Sequence, residues 1–459
     1  MHPDRSFLGR SSFRPATRRQ RAALGLGALA TTVAVAACSD TVTSPVNSGI
    51  SSAARTYVDT ALAFESEVDY WWKNVDSAAQ YKDVFTVAGA AQVDSQAWGA
   101  VERSIDPWLV NADPAPGGDQ HSAFFPATEA PGVVNSPAGS IYLAQGRNLA
   151  LSGTTSNAAY LWMPQYDGTN DVGRADSIQT VIRTLDQQSP CGWIIDLRFN
   201  PGGTWAAMMA GINPILGDAP AGPGKTGFLG AVDRDGNKFY FFVANGAAGI
   251  SDPVYDQQHG PDPDSVYVRA SSNYTLRRPG SPVAILQGGN TASAGEEIVL
   301  AFRGASFPVR TFGASTYGVT TVPSGIYMYQ EVPGADSSYL NVVGAIDFDR
   351  TGQLWGGAIA PTQAVAGPSP SSVQPATSAS SDPVVQAAAT WLQSLTACGG
   401  TAVASRSQVP APAFSVAPVA TATRKTAQAG AQPSHRPSKF HVAKKPRNAL
   451  RALASRRVN

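Results

Sequence analysis

The sequence predicts an α/β protein with a helical unit ahead of its core and a disordered basic tail behind it. Three observations carry this. Two continuous apolar runs, at Gly192–Leu197 and Val283–Leu286, each lead through a Gly-rich turn into a helical pattern, as expected of strands buried on both faces of a sheet. Upstream, apolar residues recur at three- and four-residue steps. Downstream of Gly400 there is no Asp or Glu, only Ala, Pro, Ser and scattered basic residues, a composition that buries too little surface to repay ordering.

The N-terminus reads as an address. Arg18, Arg19 and Arg21 precede the apolar stretch ALGLGALATTVAVAA, which ends in Val35-Ala36-Ala37-Cys38. This resembles a bacterial lipoprotein signal over residues 1–37, with Cys38 as the lipidated first residue of the mature chain. A plain secretory signal that happens to contain a cysteine is the alternative. The apolar run falls short of a bilayer span, and the residues after Arg18-Arg19 fit a twin-arginine signal poorly. The expected location is the bacterial cell envelope, lipid-anchored, facing the periplasm or the exterior. Two cysteines then remain, Cys191 and Cys398. In an exported protein they are disulfide candidates, since Cys191 precedes a central strand and Cys398 follows a helix expected to pack near it. Two buried thiols are the other reading.

Residues 38–54 are Ser/Thr-rich and read as a tether, and 55–110 as a helical unit. In that unit Ala61, Phe64, Val68 and Trp71 share one helical face, and Trp98, Val101 and Ile105 another, in a helix capped near Asp94 and expected to stop before Pro107. Residues 111–399 form the expected core. There 111–140 reads as loop or edge, AAYLWMP as a strand, and Ile178, Val181, Ile182 and Leu185 as a helix face. After the Gly192–Leu197 strand, TWAAMMAGINPIL reads as a helix, 227–243 as a hairpin around Asp-Gly, and 246–280 as a polar excursion from the sheet. A helix from Ala294 follows the second apolar strand, and Val384, Ala388, Trp391 and Leu395 line a last one. Residues 400–459 are the basic tail, for which an anionic membrane or envelope surface is the candidate partner. A formal net charge of +1 speaks against a chain-wide polyanion surface, so no nucleic-acid partner is expected.

The stretch GGNTASAGEEI places Ser293 between a strand and a helix. Either it is a helix cap, or it is a nucleophile at the positive end of a helix, where backbone N–H groups favour developing negative charge. Thr291 occupies the first position of what would be Gly-x-Ser-x-Gly, which disfavours an α/β-hydrolase elbow. No phosphate-binding Gly-x-x-x-x-Gly-Lys-Ser/Thr segment occurs. Metal spacing is absent too, because outside the tail no two histidines lie close together, and neither a metal nor another cofactor is expected. Of the five histidines only His121 and His259 fall where a folded site could use them, and His259 sits in a loop read as solvent-facing.

Together, four segments resemble the C-terminal processing, or tail-specific, serine peptidases, in particular the branch that includes the nisin-resistance protein. They are Gly118-Asp119-Gln120-His121-Ser122-Ala123-Phe124, the strand and turn Asp196-Leu197-Arg198-Phe199-Asn200-Pro201-Gly202-Gly203, Thr291-Ala292-Ser293-Ala294-Gly295-Glu296, and Asp349-Arg350-x-Gly352 with Ile359-x-Pro361. The resemblance implies a crotonase-like core and a serine peptidase acting on a peptide or protein substrate. Where the best-known members carry a base in Thr-x-Gly-Lys, this chain has Thr316-Tyr317-Gly318-Val319. The resembled branch uses a histidine instead, and an imidazole is a natural base near neutral pH. Ser293 is then the nucleophile and His121 the base, with the oxyanion held by the N–H of Ala294 and of Gly202 or Gly203. Glu296 either positions the base or complements the helix N-terminus. Two alternatives remain: a catalytically inert ligand- or polymer-binding lipoprotein on the same fold, and a scaffold lipoprotein acting through its tail.

Overall fold

The computed structural model describes residues 49–70, 72, 77–110, 121–126, 144–166, 170–222, 225–252, 265–328, 338–368 and 373–400. Cys38, His259 and the basic tail lie outside the described residues.

Three helices come first: α1 (Ser52–Val68), α2 (Ser77–Ala88) and α3 (Trp98–Val110). Ser51 caps α1, its side chain accepting from the Ala54 N–H, so the helix starts inside the stretch expected as tether. Helix α2 has no counterpart in the sequence reading. Contrary to expectation, α3 runs through Pro107 to Val110. Pro107 has no N–H to bond the carbonyl four residues back and its ring crowds that carbonyl, so the last turn is kept at a cost.

The core then runs β1 (Ala123–Phe125), β2 (Gln145–Ala150), β3 (Asn157–Trp162), α4 (Asp171–Asp186), β4 (Gly192–Asp196) and α5 (Trp205–Leu216). Next come β5 (Ala221–Gly222), β6 (Lys225–Thr226), β7 (Leu229–Asp233), β8 (Lys238–Ala244), β9 (Ala247–Ser251), β10 (Val266–Arg269) and β11 (Val283–Gln287). Last are α6 (Ala294–Ala301), β12 (Val309–Gly313), β13 (Thr321–Met328), β14 (Ser338–Asp349), β15 (Gln363–Ala364) and α7 (Pro383–Gln393). The fold is mixed α/β.

Six strands form a mainly parallel sheet in the order β15-β12-β11-β4-β3-β2, in which only β2 runs antiparallel to its neighbour. The two apolar runs are adjacent within it, Val283 opposite Trp193 and Leu286 opposite Asp196. Period-two alternation turns their residues to opposite faces. Trp193 and Ile195 pack with Ile178, Ile182, Met208 and Ile212 of α4 and α5. Ile194 and Leu286 pack with Val385, Ala388 and Leu392 of α7. Each such side chain taken out of water contributes about 1.5–3 kcal/mol.

The second sheet is antiparallel, β1-β14-β7-β8-β9-β10, with β13 on the other side of β14. The hairpin expected at 227–243 is β7 and β8, turning through Gly236 at φ 83°. Residues 246–280 correct the expectation, since β9 and β10 extend this sheet rather than leaving it. β9 (AAGIS) carries few large apolar residues, and β10 (VYVR) is too short to show a period. The N-terminal helices pack Tyr57, Val58, Phe85 and Val101 against Met328, Leu340 and Val342 of β13 and β14. Among the described residues no helix is long and apolar enough to cross a membrane.

Candidate active site

Parallel strands end together, and so do the segments that leave them. At the carboxyl ends of β3, β4, β11 and β12 the chain continues into 163–166, 197–203, 288–293 and 314–319. This edge of an open α/β sheet is where binding crevices form.

Hydrogen bonds knit the four segments around Ser293. Thr291 is fully buried; its hydroxyl donates to the Leu197 carbonyl at 2.9 Å and accepts from the Gly288 N–H at 3.0 Å. The Asn200 carbonyl accepts from the Ala292 N–H at 3.1 Å, and its side chain donates to the Met163 carbonyl. The Tyr317 N–H donates to the Thr291 carbonyl at 2.9 Å. Beneath the turn, Asp196 takes a two-point ion pair from Arg198, which also reaches Asp382. These two residues anchor the turn.

Ser293 itself, at φ 50° and ψ −123°, occupies backbone space that L-residues rarely enter. Such strain costs on the order of 1–3 kcal/mol and persists only where the surroundings enforce it. Two contacts do so here. Gly202, at φ 112°, lies so close that a Cβ there would sit 2.8 Å from the Ser293 Cβ. Only glycine satisfies both the dihedral and the approach. On the other side, the Ser293 N–H donates to Glu296 Oε2 at 3.1 Å.

Glu296 is completely buried and accepts four hydrogen bonds. Oε2 takes the N–H groups of Ser293 and Val319, at 3.1 and 2.8 Å. Oε1 takes the Gly318 N–H at 2.9 Å and the Thr316 hydroxyl. Burial pushes its pKa up to about 7, and the four donors oppose that rise. Donors on both oxygens, three of them backbone N–H groups, favour the anion. None of its partners is His121. Glu296 clamps the Ser293 backbone to residues 316–319.

Behind it lies a second pair of buried carboxyls, Glu297 on α6 and Asp347 on β14. Neither Asp347 oxygen, nor Glu297 Oε2, meets a hydrogen-bond donor. Burial raises both, Glu297 to about 8 with Glu296 adding to the rise, and Asp347 well above the usual carboxylate range with Glu297 and Glu296 adding. Burial and mutual repulsion thus favour the neutral forms of Glu297 and Asp347, whereas four donors favour the anion at Glu296.

His121 precedes β1 and is held from both sides of its backbone. Its carbonyl accepts from the Asn341 side chain at 2.8 Å, and the neighbouring Ser122 hydroxyl accepts from the Val343 N–H. Nδ1 lies 3.1 Å from the Thr321 carbonyl and 2.9 Å from its hydroxyl. A carbonyl oxygen only accepts, so Nδ1 carries the hydrogen and Nε2 the basic lone pair. Burial pulls the ring down to about 4, against the raising effect of the Thr321 carbonyl, so it is neutral at pH 7. Thr321 is two residues beyond Val319, which ties His121 and Ser293 to one short stretch of chain. No hydrogen bond joins Ser293 to His121 themselves.

Of the two glycines considered for the oxyanion, Gly202 has its N–H committed to Asn200 Oδ1 at 3.0 Å. The N–H groups of Gly203 and of Ala294, the first residue of α6, meet no acceptor among the described residues. Cys191 and Cys398 are joined as a disulfide, with Cα atoms 5.0 Å apart.

Residues 157–364 match the model of peptidase family S41. Over that stretch the chain is similar to the S41 peptidases. Ser293, Glu296, the Gly202-Gly203 turn and 314–319 fall inside the S41 match, whereas His121 lies upstream of it. Over 199 residues the chain is 27% identical to the nisin-resistance protein of Lactococcus lactis subsp. lactis, covering 43% of this chain and 53% of that one. The match thus spans about half the length of that curated relative. A lipoprotein from Streptococcus agalactiae shares the fold, with TM-score 0.51 and 17% identity over 75% of this chain and 98% of that one. A photosystem II D1 C-terminal processing protease superposes with TM-score 0.45 and 11% identity, covering 74% of this chain and 98% of that one.

The local sequence foretold the strand–serine–helix junction and the Gly-Gly turn. It did not foretell the Glu296 clamp or the Glu297–Asp347 pair, because both depend on 316–319 and β14 being folded back onto α6.

Proposed function

We propose that the protein is a serine peptidase of the tail-specific type, using Ser293 and His121 on a crotonase-like core. The carrying observation is the strained Ser293 backbone, clamped by Glu296 beside two unpartnered N–H groups. Ser293 also stands at the N-cap of α6, with Glu296 returning a capping-box contact to its N–H, but a cap needs no such strain. His121 Nε2 removes the Ser293 proton as Oγ attacks a peptide carbonyl, and returns it to the departing amine; water then releases the acyl group. The N–H groups of Ala294 and Gly203 stabilise the oxyanion. The substrate is a peptide or protein.

The domain plan of signal (1–37), tether (38–54), helical unit (55–110), catalytic core (111–399) and basic tail (400–459) belongs to this reading. So do lipid anchoring at Cys38, a place in the cell envelope, and an anionic surface for the tail. The similarity to a nisin-resistance protein and to a streptococcal lipoprotein supports that location. One observation favours a second reading, a ligand-binding protein without turnover: Ser293 and His121 share no hydrogen bond. Catalytic contacts often tighten only when substrate binds, and experiment separates the two. A fluorophosphonate should label Ser293 in the native protein, fail on Ser293→Ala, and react far more slowly with His121→Ala. Native protein that takes up no label is the inert binder.

A further inference from the structure

Tyr317 is a large apolar side chain set in solvent at the most rigid part of the site. Its ring is 55% exposed, while its backbone is fixed on every side. Its N–H donates to Thr291, two residues before the nucleophile. The flanking Thr316 hydroxyl and Gly318 N–H are both held by Glu296, and Thr316 is further tied to Ile359. The Thr316 hydroxyl turns inward to Glu296, whereas Tyr317 stands largely in solvent. One oxygen of Glu296 joins the backbones of Ser293 and Val319, so the segment that carries Tyr317 is held against the segment that carries Ser293. No aromatic or cationic side chain stacks on the ring among the described residues.

Charge is missing from the same surroundings. The segments 163–166, 197–203, 288–293 and 314–319 hold a single charged residue, Arg198. Its guanidinium is buried and neutralised by Asp196 and Asp382. Glu296 is buried and saturated. Nothing on these segments can pair with a charged substrate side chain, and desolvating one without a partner is costly. An aromatic ring held on a fixed backbone offers apolar contact with little entropy left to lose.

Resting on the peptidase reading, we infer that Tyr317 is a specificity-determining residue. Its ring forms the wall of a subsite that takes an uncharged, apolar side chain of the peptide next to the bond cleaved.

The test uses peptidyl diphenyl phosphonates that differ in one side chain, leucine-like, glutamate-like or lysine-like. The rate of Ser293 modification is followed by mass spectrometry. The wild-type protein should react at least about tenfold faster with the leucine-like probe, the scale of discrimination apolar pockets supply. Tyr317→Phe should keep that preference and Tyr317→Ala should lose it, leaving the slow charged probes unchanged. Tyr317→Glu should move the preference to the lysine-like probe, a gain that misfolding cannot mimic. Equal rates with all three probes in the wild type, or a leucine preference that survives Tyr317→Ala, overturns the subsite and leaves the peptidase intact. If no phosphonate modifies Ser293, the peptidase reading falls and the subsite falls with it.

Discussion

Glu296 shows how a single residue can be half readable. Its position three residues after Ser293 marks it as an acidic group in the first turn of a helix. Either of the roles first open to it would leave lone pairs to spare. The structure sets donors on both oxygens, among them the backbone N–H groups of Ser293 and Val319. This predicts a particular failure for the isosteric change. In Glu296→Gln the amide nitrogen must face either Ser293 and Val319 or Thr316 and Gly318, replacing two acceptor positions by donors. Hydrogen bonds to a charged group contribute about 1.5–3 kcal/mol each. Loss of even one on the nucleophile side should slow phosphonate labelling of Ser293 by about 10- to 100-fold. The overall circular dichroism should be retained. Labelling at the wild-type rate would mean that Ser293 holds its strained backbone without the clamp. Ser293 stood out in the sequence by its place between a strand and a helix, and His121 because histidine is scarce in this chain. The Val319 side of the clamp did not, since a backbone N–H carries no residue identity.

At the scale of elements, helix α6 and strand β14 bury two carboxyls, Glu297 and Asp347, that are both raised by burial and by nearby negative charge. Both folded pKa values are raised above their unfolded values of about 4. The stability they contribute is therefore fully present below about pH 4 and is lost as pH rises through the folded values, about 8 for Glu297. His121 works in the other direction. Its folded value of about 4 lies below the unfolded 6.5, so stability falls as pH drops between them. The labelling rate of Ser293 should accordingly be bell-shaped, with an acid limb near pH 4 as His121 takes a proton and an alkaline limb near pH 8 as the pair loses one. Asp347→Asn leaves only one of these two carboxyls to titrate. It should flatten the fall in melting temperature above neutrality and move the alkaline limb upward, with the acid limb unchanged. An alkaline limb identical in the variant would place its origin elsewhere. Strands β4 and β11 and their following helices were legible because an apolar run between a Gly-rich turn and a 3.6-residue period is hard to read otherwise. β9 and β10 were not, because their burial comes from neighbours distant in sequence. The extent of α3 was misread because a proline disfavours a helix without forbidding it.

For the whole molecule, the decisive long-range tie is the disulfide from Cys191 to Cys398. It closes a sequence separation of 207 residues, joining the start of the central strand β4 to the turn after α7. Both cysteines lie in the core that covers one face of the parallel sheet, among Ile194, Leu286, Phe312, Val385 and Leu392. The pairing was within reach of the sequence, because an exported chain with two remaining cysteines offers a single intramolecular choice. Its energetic place was not, because that depends on α7 lying against β4 and β11. The helix is already held there by Arg198, which spans Asp196 beneath the candidate site and Asp382 at the α7 cap. The crosslink and the ion pair thus secure the same helix at opposite ends. In the chain-entropy model a loop of this size is worth about 5 kcal/mol, through the freedom it denies the unfolded chain. Replacing both cysteines by alanine should therefore lower the melting temperature strongly. Ser293 labelling at 25 °C should change little, since apolar packing and Arg198 still seat α7. Adding Asp382→Ala should then do more damage than the two separate losses combined, because each change removes the other's remaining support. Differential scanning calorimetry of the single, double and combined variants measures that excess. Strict additivity would show that the two ends of α7 are held independently, and that the disulfide stabilises the chain without steadying the turn beneath Ser293.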